Sequence, residues 1–402
     1  MKKFSIVVIV LVLSIVFTGC TNNELDLYKA FNKSQDITSM ESDTVLNFTL
    51  KGEGFSAEDE QIVKQLVNTL NNSEISIKQK MKQNEEKTAA KAFADMNLNF
   101  GGMKMPMSVW VDTDMSGETP KLVEIIEMPQ MLMSGMSPEA ADKKYLVYDF
   151  EKITSTSGTG IDYDELMKFS KDLQPKIANF FKDYQKDFKP EVEVVKYRGK
   201  ETVNGETLSI YELKLNDESF KDFVKYTVNY TLDNRDAIEF IKEYMNAVVG
   251  MVEIPEGEEQ PSQEEINMEL DNLEKELPEL KKQFNEFMDT YKDVKIIGDK
   301  GIVIEYGVND DGYIVHEAGD IDLRIDLEAI TKAVKEDLPP VRGVLNLGIK
   351  FETKVSNINK DIRVYIPEVN KNNSIDFSEM MQSYEMDQPI EMEESAVEPP
   401  VK

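Results

Sequence analysis

The chain has 402 residues, 41% of them hydrophobic, with 76 acidic against 46 basic residues and a formal net charge of −30. That is enough apolar material for one large core, while so negative a surface repels phosphate backbones and anionic headgroups and argues against nucleic acid as a partner. One cysteine and one histidine leave no internal disulfide and no cysteine metal cluster within reach.

The first residues read MKKFSIVVIVLVLSIVFTGC. Lys2 and Lys3 precede an apolar run over residues 4–17, shorter than the roughly 20 apolar residues that cross a bilayer, so residues 1–19 read as a cleaved signal peptide. Thr18 and Gly19 directly before Cys20 resemble the lipobox of bacterial lipoproteins. That resemblance implies lipid attachment at Cys20, which becomes the mature N-terminus; the competing reading is a plain secretory signal with a chance cysteine. Two or more acyl chains, of the palmitate kind, hold a protein durably at a membrane where one does not. The chain is therefore expected on the outer face of the cell membrane, with residues 20–24 as the linker and one domain over residues 25–370.

A short helix is predicted over LDLYKAFNKSQDI, residues 25–37. Strands follow, with apolar side chains at every second position. Leu46, Phe48 and Leu50 oppose Asn47 and Thr49. Ser56 with Asp59 predicts a capped helix striped by Ile62, Val63, Leu66, Val67 and Leu70. Ala94, Met96, Leu98 and Phe100 oppose Asp95, Asn97 and Asn99. In GGMKMPMSVWVDTDM, residues 101–115, Met103, Met105, Met107, Val109 and Val111 share the buried side. MPQMLMSGMSP, residues 128–138, reads as a mobile rim loop.

A helix is expected from about Asp162, carrying Leu166, Phe169, Leu173, Ile177, Phe180 and Tyr184 with Pro175 as a kink. VKYTVNYTL, residues 224–232, alternates as a strand with Val224, Tyr226, Val228, Tyr230 and Leu232 on one side. Helices from Asp236 and from a cap at Ser262 with Glu265 form a helical insertion over residues 236–292, a lid or flank. Ile321, Leu323 and Ile325, then Leu345, Leu347, Ile349 and Phe351, mark two late strands. One-sided strands joined by turns such as NDDG (309–312) and VNGE (203–206) predict an antiparallel sheet with one wet face and helices over the dry one. The acidic, polar residues 371–402 are predicted to be disordered.

Three segments carry a family likeness: KKYLVYDFEK (143–152) as a tyrosine-rich mid-sheet strand, YRGKETVNGETLSIYELKLN (197–216) as a hairpin, and FETKVSNINKDIRVYIPEV (351–369) as a last strand pair closing on Ile366 and Pro367. With the lipobox, the first helix and the meander, they resemble the LolA-like lipoproteins, a group that includes the LolA and LolB carriers and the mycobacterial LppX and LprG type. The resemblance implies an α+β fold, a large curved antiparallel sheet forming an unclosed half-barrel, with helices on an apolar concave side that encloses acyl chains. It also implies no enzymatic activity. The long helical insertion departs from the smaller carriers.

The chemistry-bearing residues agree with a non-enzyme. His316, in YIVHEAGD, has no nucleophile motif near it and reads as a partly exposed strand histidine. No Walker, dinucleotide or zinc-ligand spacing occurs, Asp310 and Asp311 read as a turn rather than a calcium loop, and neither cofactor nor metal is expected. The methionines leave three readings open: ordinary core filling, a wall that repacks around ligands of different shape, and a thioether copper site.

The expected function is non-covalent binding of a hydrophobic or acylated molecule, for transport or sensing at a Gram-positive cell envelope. The expected wall comprises Leu46, Phe48, Met96, Leu98, Phe100, Met103, Met105, Met107, Tyr226, Val228, Leu347 and Phe351. The alternative is a protein-interaction module, with an envelope or spore-associated partner and a core filled by its own helices.

Overall fold

The computed structural model describes residues 22–117, 121–152, 176, 180, 184, 188–190, 192–251, 263–334 and 342–380. Helix α1 (Asn22–Ser34) leads into strand β1 (Ser39–Glu53), helix α2 (Ala57–Asn71), and strands β2 (Glu74–Gln83), β3 (Ala89–Phe100), β4 (Met103–Asp114) and β5 (Lys121–Glu127). Helix α3 (Gln130–Met136) and a 3-10 turn precede β6 (Tyr145–Asp149). Beyond it come the hairpin β7 (Val195–Val203) and β8 (Glu206–Leu215), then helices α4 (Asp217–Asp233), α5 (Arg235–Met251) and α6 (Gln263–Thr290). Strands β9 (Ile297–Val308) and β10 (Ile314–Asp326), helix α7 (Leu327–Val334), β11 (Val344–Ser356) and β12 (Ser374–Asp376) complete the order.

Among the described residues all strands join one unclosed twelve-stranded sheet in the order β12-β6-β5-β4-β3-β2-β1-β11-β10-β9-β8-β7. Every pairing is antiparallel except β12 with β6. The fold is thus α+β with a large, mostly antiparallel open sheet, as the alternating strands predict. Asn204 (φ 52°) and Gly205 (φ 90°) turn the β7–β8 hairpin, a left-handed pair that fits the twist of the flanking strands.

The register aligns the apolar positions of neighbouring strands on one side, here the inner face. Phe351 lies opposite Leu46, Leu46 opposite Ile75, Ile75 opposite Leu98, and Leu98 opposite Met105. Ile77, Met96 and Met107 make the next row. Because side chains alternate strictly, a slip by one residue would turn all of these outward, which is what fixes the pairing.

Helices fill the two ends of this face. At one end Leu27, Ala30 and Phe31 of α1, Phe220 and Phe223 of α4 and Ala237 of α5 pack on Val195, Leu213, Leu215, Ile304, Tyr306 and Val308. At the other, Met133 of α3, Ala140, Ile375 and Met380 close over Leu146 and Ile126. MPQMLMSGMSP is therefore core cap rather than mobile rim: Met133 is fully buried (0% exposed), and Met128 and Met136 pack beside it.

Four further expectations are corrected. VKYTVNYTL is helical, in α4. Asn216 caps it reciprocally with Ser219, Asp217 and Glu218 sit in its first turn, and its buried positions Phe223, Thr227, Val228 and Thr231 recur at helical spacing. The β-branched alternation favours a strand locally, but the cap and the packing on β8 and β9 override it. The helical insertion accordingly spans three helices, beginning with α4 rather than at Asp236. Second, the tyrosine-rich β6 lies beside the edge strand β12, not in mid-sheet. Third, residues 371–380 are not tail: Ser374–Asp376 forms β12, and Ile375, Phe377 and Met380 join the core. The expected kink at Pro175, the expected cap at Ser262 and residues 381–402 lie outside the described residues. Ser56 caps α2 as expected, accepting from the Asp59 amide at 3.2 Å.

Nor are residues 357–369 a strand pair. They run as an irregular strap over the outer face. Asn359 donates to the Ser39 carbonyl (2.8 Å), Asp361 pairs with Lys82 (2.8 Å), and Ile366 packs against Trp110, Val123, Ile125, Tyr145 and Val147. Asn373 then accepts from the amides of Lys144 and Tyr145, at 2.9 and 3.0 Å, and starts β12. The outer face is wet over β1 and β11 but covered over β4, β5 and β6.

A partly buried ion pair ties α4 to the sheet. Lys221 binds Asp217 (2.6 Å) and donates to the carbonyls of Lys292 and Val294, while Asp217 accepts from the amides of Ile296 and Ile297. Burial works against the charged carboxylate, yet Lys221 and the two amides outweigh it and hold Asp217 below the usual aspartate range. A depressed folded pKa gives stability that is complete above the unfolded pKa and lost as pH falls through the folded one. Asp217→Asn is expected to cost roughly 1–3 kcal/mol near neutrality, and urea midpoints should show the gap from wild type closing on acidification below the ordinary aspartate range. Ile366→Ala should loosen the strap over Trp110, the chain's single tryptophan, and shift its emission to longer wavelength with the far-ultraviolet spectrum unchanged.

Candidate functional site

Between the two packed ends, the middle of the inner face stays half-buried. Leu46, Phe48, Ile75, Ile77, Met96, Leu98, Phe100, Met105, Met107, Leu347, Ile349 and Phe351 all retain part of their surface, whereas the centres of the end clusters, Leu213 and Phe223 at one end and Met133 and Leu146 at the other, are buried; Phe351 packs against the first of these ends. A band of partly uncovered side chains, contiguous across β11, β1, β2, β3 and β4, is far more apolar than the exposed surface of a typical soluble chain. Branched aliphatic and aromatic side chains line its β1 and β11 side. Unbranched methionines, which repack at low cost, line its β4 side.

Ten of the expected wall residues meet here. Leu46 and Phe48 come from β1, Met96, Leu98 and Phe100 from β3, Met103, Met105 and Met107 from β4, and Leu347 and Phe351 from β11. Met103, 56% exposed, stands at the rim beside the β3–β4 turn. Tyr226 and Val228 do not belong to the wall, because α4 carries them into the packed end. Val228 is 4% exposed, and Tyr226 lies 5.2 Å from the ring of Phe188 with its hydroxyl accepting from the Lys189 amide (2.9 Å). In the same aromatic group, Tyr184 bonds Thr231 (2.8 Å), and burial pushes its hydroxyl pKa up to about 12.

Helix α2 borders the open band. Asn71 ties it to Leu50 through both its amide oxygen and its amide nitrogen. Val63, Val67 and Leu70 are half-buried, while Ile62 (67%) and Leu66 (46%) are exposed. The predicted five-residue stripe is thus only partly turned to the sheet.

One polar group on this face escapes a reading based on apolar periodicity. Counting back by twos from Ile321 reaches Gly319 and then Glu317, opposite Thr353 of β11 and Tyr306 of β9. Burial raises the Glu317 carboxyl above the usual range, against a smaller opposing effect of His316. His316 itself is on the outer face, 3.2 Å from Glu352. Among the described residues no group of three or more His, Cys, Asp or Glu side chains is placed to hold a metal. Cys20 and the apolar run before it lie outside the described residues, and no described helix is long and apolar enough to cross a membrane.

No family model and no curated relative matches the chain. Among solved structures it is similar to the lipoprotein LppX of Mycobacterium tuberculosis, at 8% identity and a TM-score of 0.26, over 85% of this chain and 97% of that one. A likeness at that score carries no functional weight.

Phe351 provides a direct check of the wall's geometry. A Cβ on Gly319 would stand 2.2 Å from the nearest carbon of the Phe351 ring, so the ring occupies the space a side chain at 319 would need. Gly319→Ala should displace the ring and lower stability by about 1–3 kcal/mol, read as a drop in Tm.

Proposed function

We propose that this chain is a lipoprotein, anchored through Cys20 to the outer face of the cell membrane, that binds one hydrophobic or acylated molecule non-covalently for transport or sensing at the envelope. The observation that supports this is the half-covered apolar band between two sealed ends of the same sheet face. An acyl chain laid on it gains roughly 0.8 kcal/mol for each CH₂ removed from water, so a long chain is held firmly without many polar contacts. The reading involves binding alone and no covalent chemistry.

The alternative, an interaction module with a self-filled core, draws on the helices that already seal both ends. Native mass spectrometry after purification without detergent, joined to uptake of a fluorescent fatty-acyl probe, separates the two. Carrier behaviour predicts a co-purifying lipid and probe uptake, both lost in Phe100→Glu and Met105→Glu while circular dichroism is unchanged. A ligand-free chain that takes up no probe favours the interaction module.

A further inference from the structure

The inner face is not uniformly apolar. Glu317 of β10 lies opposite Thr353 of β11, and Thr353 opposite Thr44 of β1, their hydroxyls 2.9 Å apart. One row further along, Ser42 of β1 lies opposite Gln79 of β2. These side chains share the inward parity of Leu46, Phe351 and Ile77, and together they form a polar island on four adjacent strands. By register, the inward positions of β11, β1, β2, β3 and β4 hold no ionisable residue, and those of β10 hold Glu317 alone.

The island sits where the sealed end meets the open band. Tyr306 flanks Glu317 on one side, under the edge of Phe31 from α1 (5.3 Å). On the other side Phe351 covers Gly319, two residues along β10. Among the described residues the Glu317 carboxylate has no hydrogen-bond or ion-pair partner, although it is only partly exposed. A half-buried carboxylate without a partner is costly, and the cost is offset when a donor arrives from outside.

We infer that this island seats the polar head of the molecule whose chain lies on the apolar band, and that the head donates hydrogen bonds and carries positive charge, an ammonium group being the simplest form. The inference rests on the binding reading above and adds the head group to it. Glu317 supplies the charge complement, and Thr44, Thr353, Ser42 and Gln79 supply neutral acceptors around it. From the island the chain would run over Phe351 and Leu46 toward Ile75, Leu98 and Met105, along the row the register sets. An anionic head is disfavoured by like charge in a site with little solvent to screen it.

The test uses three fluorescent probes of one acyl length, bearing an ammonium, a hydroxyl and a carboxylate head, titrated into the full chain. The wild type should prefer the ammonium over the carboxylate probe by about tenfold, the worth of one charge-assisted hydrogen bond. Glu317→Gln should remove that preference while uptake still grows with acyl length, which also shows that the variant is folded. Gln79→Glu, adding a second carboxylate, should widen the preference. Equal binding of all three probes by the wild type, or a preference that survives Glu317→Gln, overturns the inference and leaves the binding reading standing. Uptake of none of them overturns both.

Discussion

A sheet this broad has to remove one whole apolar face from water, and the packing of the molecule follows from how far its own helices reach. The register brings inward residues of neighbouring strands into continuous rows, one from Leu213 and Ile304 through Phe351, Leu46 and Leu98 to Met105, another from Ala94 through Val109 and Ile126 to Leu146. Helices α1, α4 and α5 seal one end and α3 with the segment after β12 seals the other. In between, the described helices leave Leu46, Phe48, Leu98 and Met105 half-covered. Uncovered apolar surface costs stability, and this band is the part of the face that the described helices leave uncompensated.

The outer face shows the same constraint solved differently. Over β1 and β11 it carries Asn47, Thr49, Lys350 and Glu352 and needs no cover. Over β4, β5 and β6 it carries Trp110, Ile125 and Val147, and the strap closes that patch with Ile366. The strap leaves β11 in the middle of the sheet and ends as β12 at one edge. Residues far apart in the chain, such as Lys82 and Asp361, are thereby held together. It also pairs the open side of β6 with a three-residue strand, leaving only a short edge there.

Polar groups on the inner face divide by whether the fold satisfies them. Lys221 and Asp217 bind each other and also backbone groups at the start of β9, so their burial serves the fold. Tyr184 is bonded to Thr231 within an aromatic cluster. Glu317 lacks such a partner among the described residues. That contrast, rather than burial as such, singles it out as a group placed for something outside the chain.

The alternation of Leu46 with Asn47, Met96 with Asn97 and Met105 with Pro106 contained the strands, their inward sides and most of the wall, because a period of two is a local property of the backbone. Asn204-Gly205 and the Ser56 cap were legible for the same reason. Sequence by itself therefore determined an α+β chain with a one-sided antiparallel sheet and its apolar face. It did not determine α4, where Val224, Tyr226 and Val228 alternate like a strand and only packing on β8 and β9 decides for a helix. Nor could it pair Trp110 with Ile366, bury Met133, or leave Glu317 without a partner beside Thr353. Those depend on contacts between residues distant in the chain, which local periodicity does not encode and the closed packing of the sheet alone supplies.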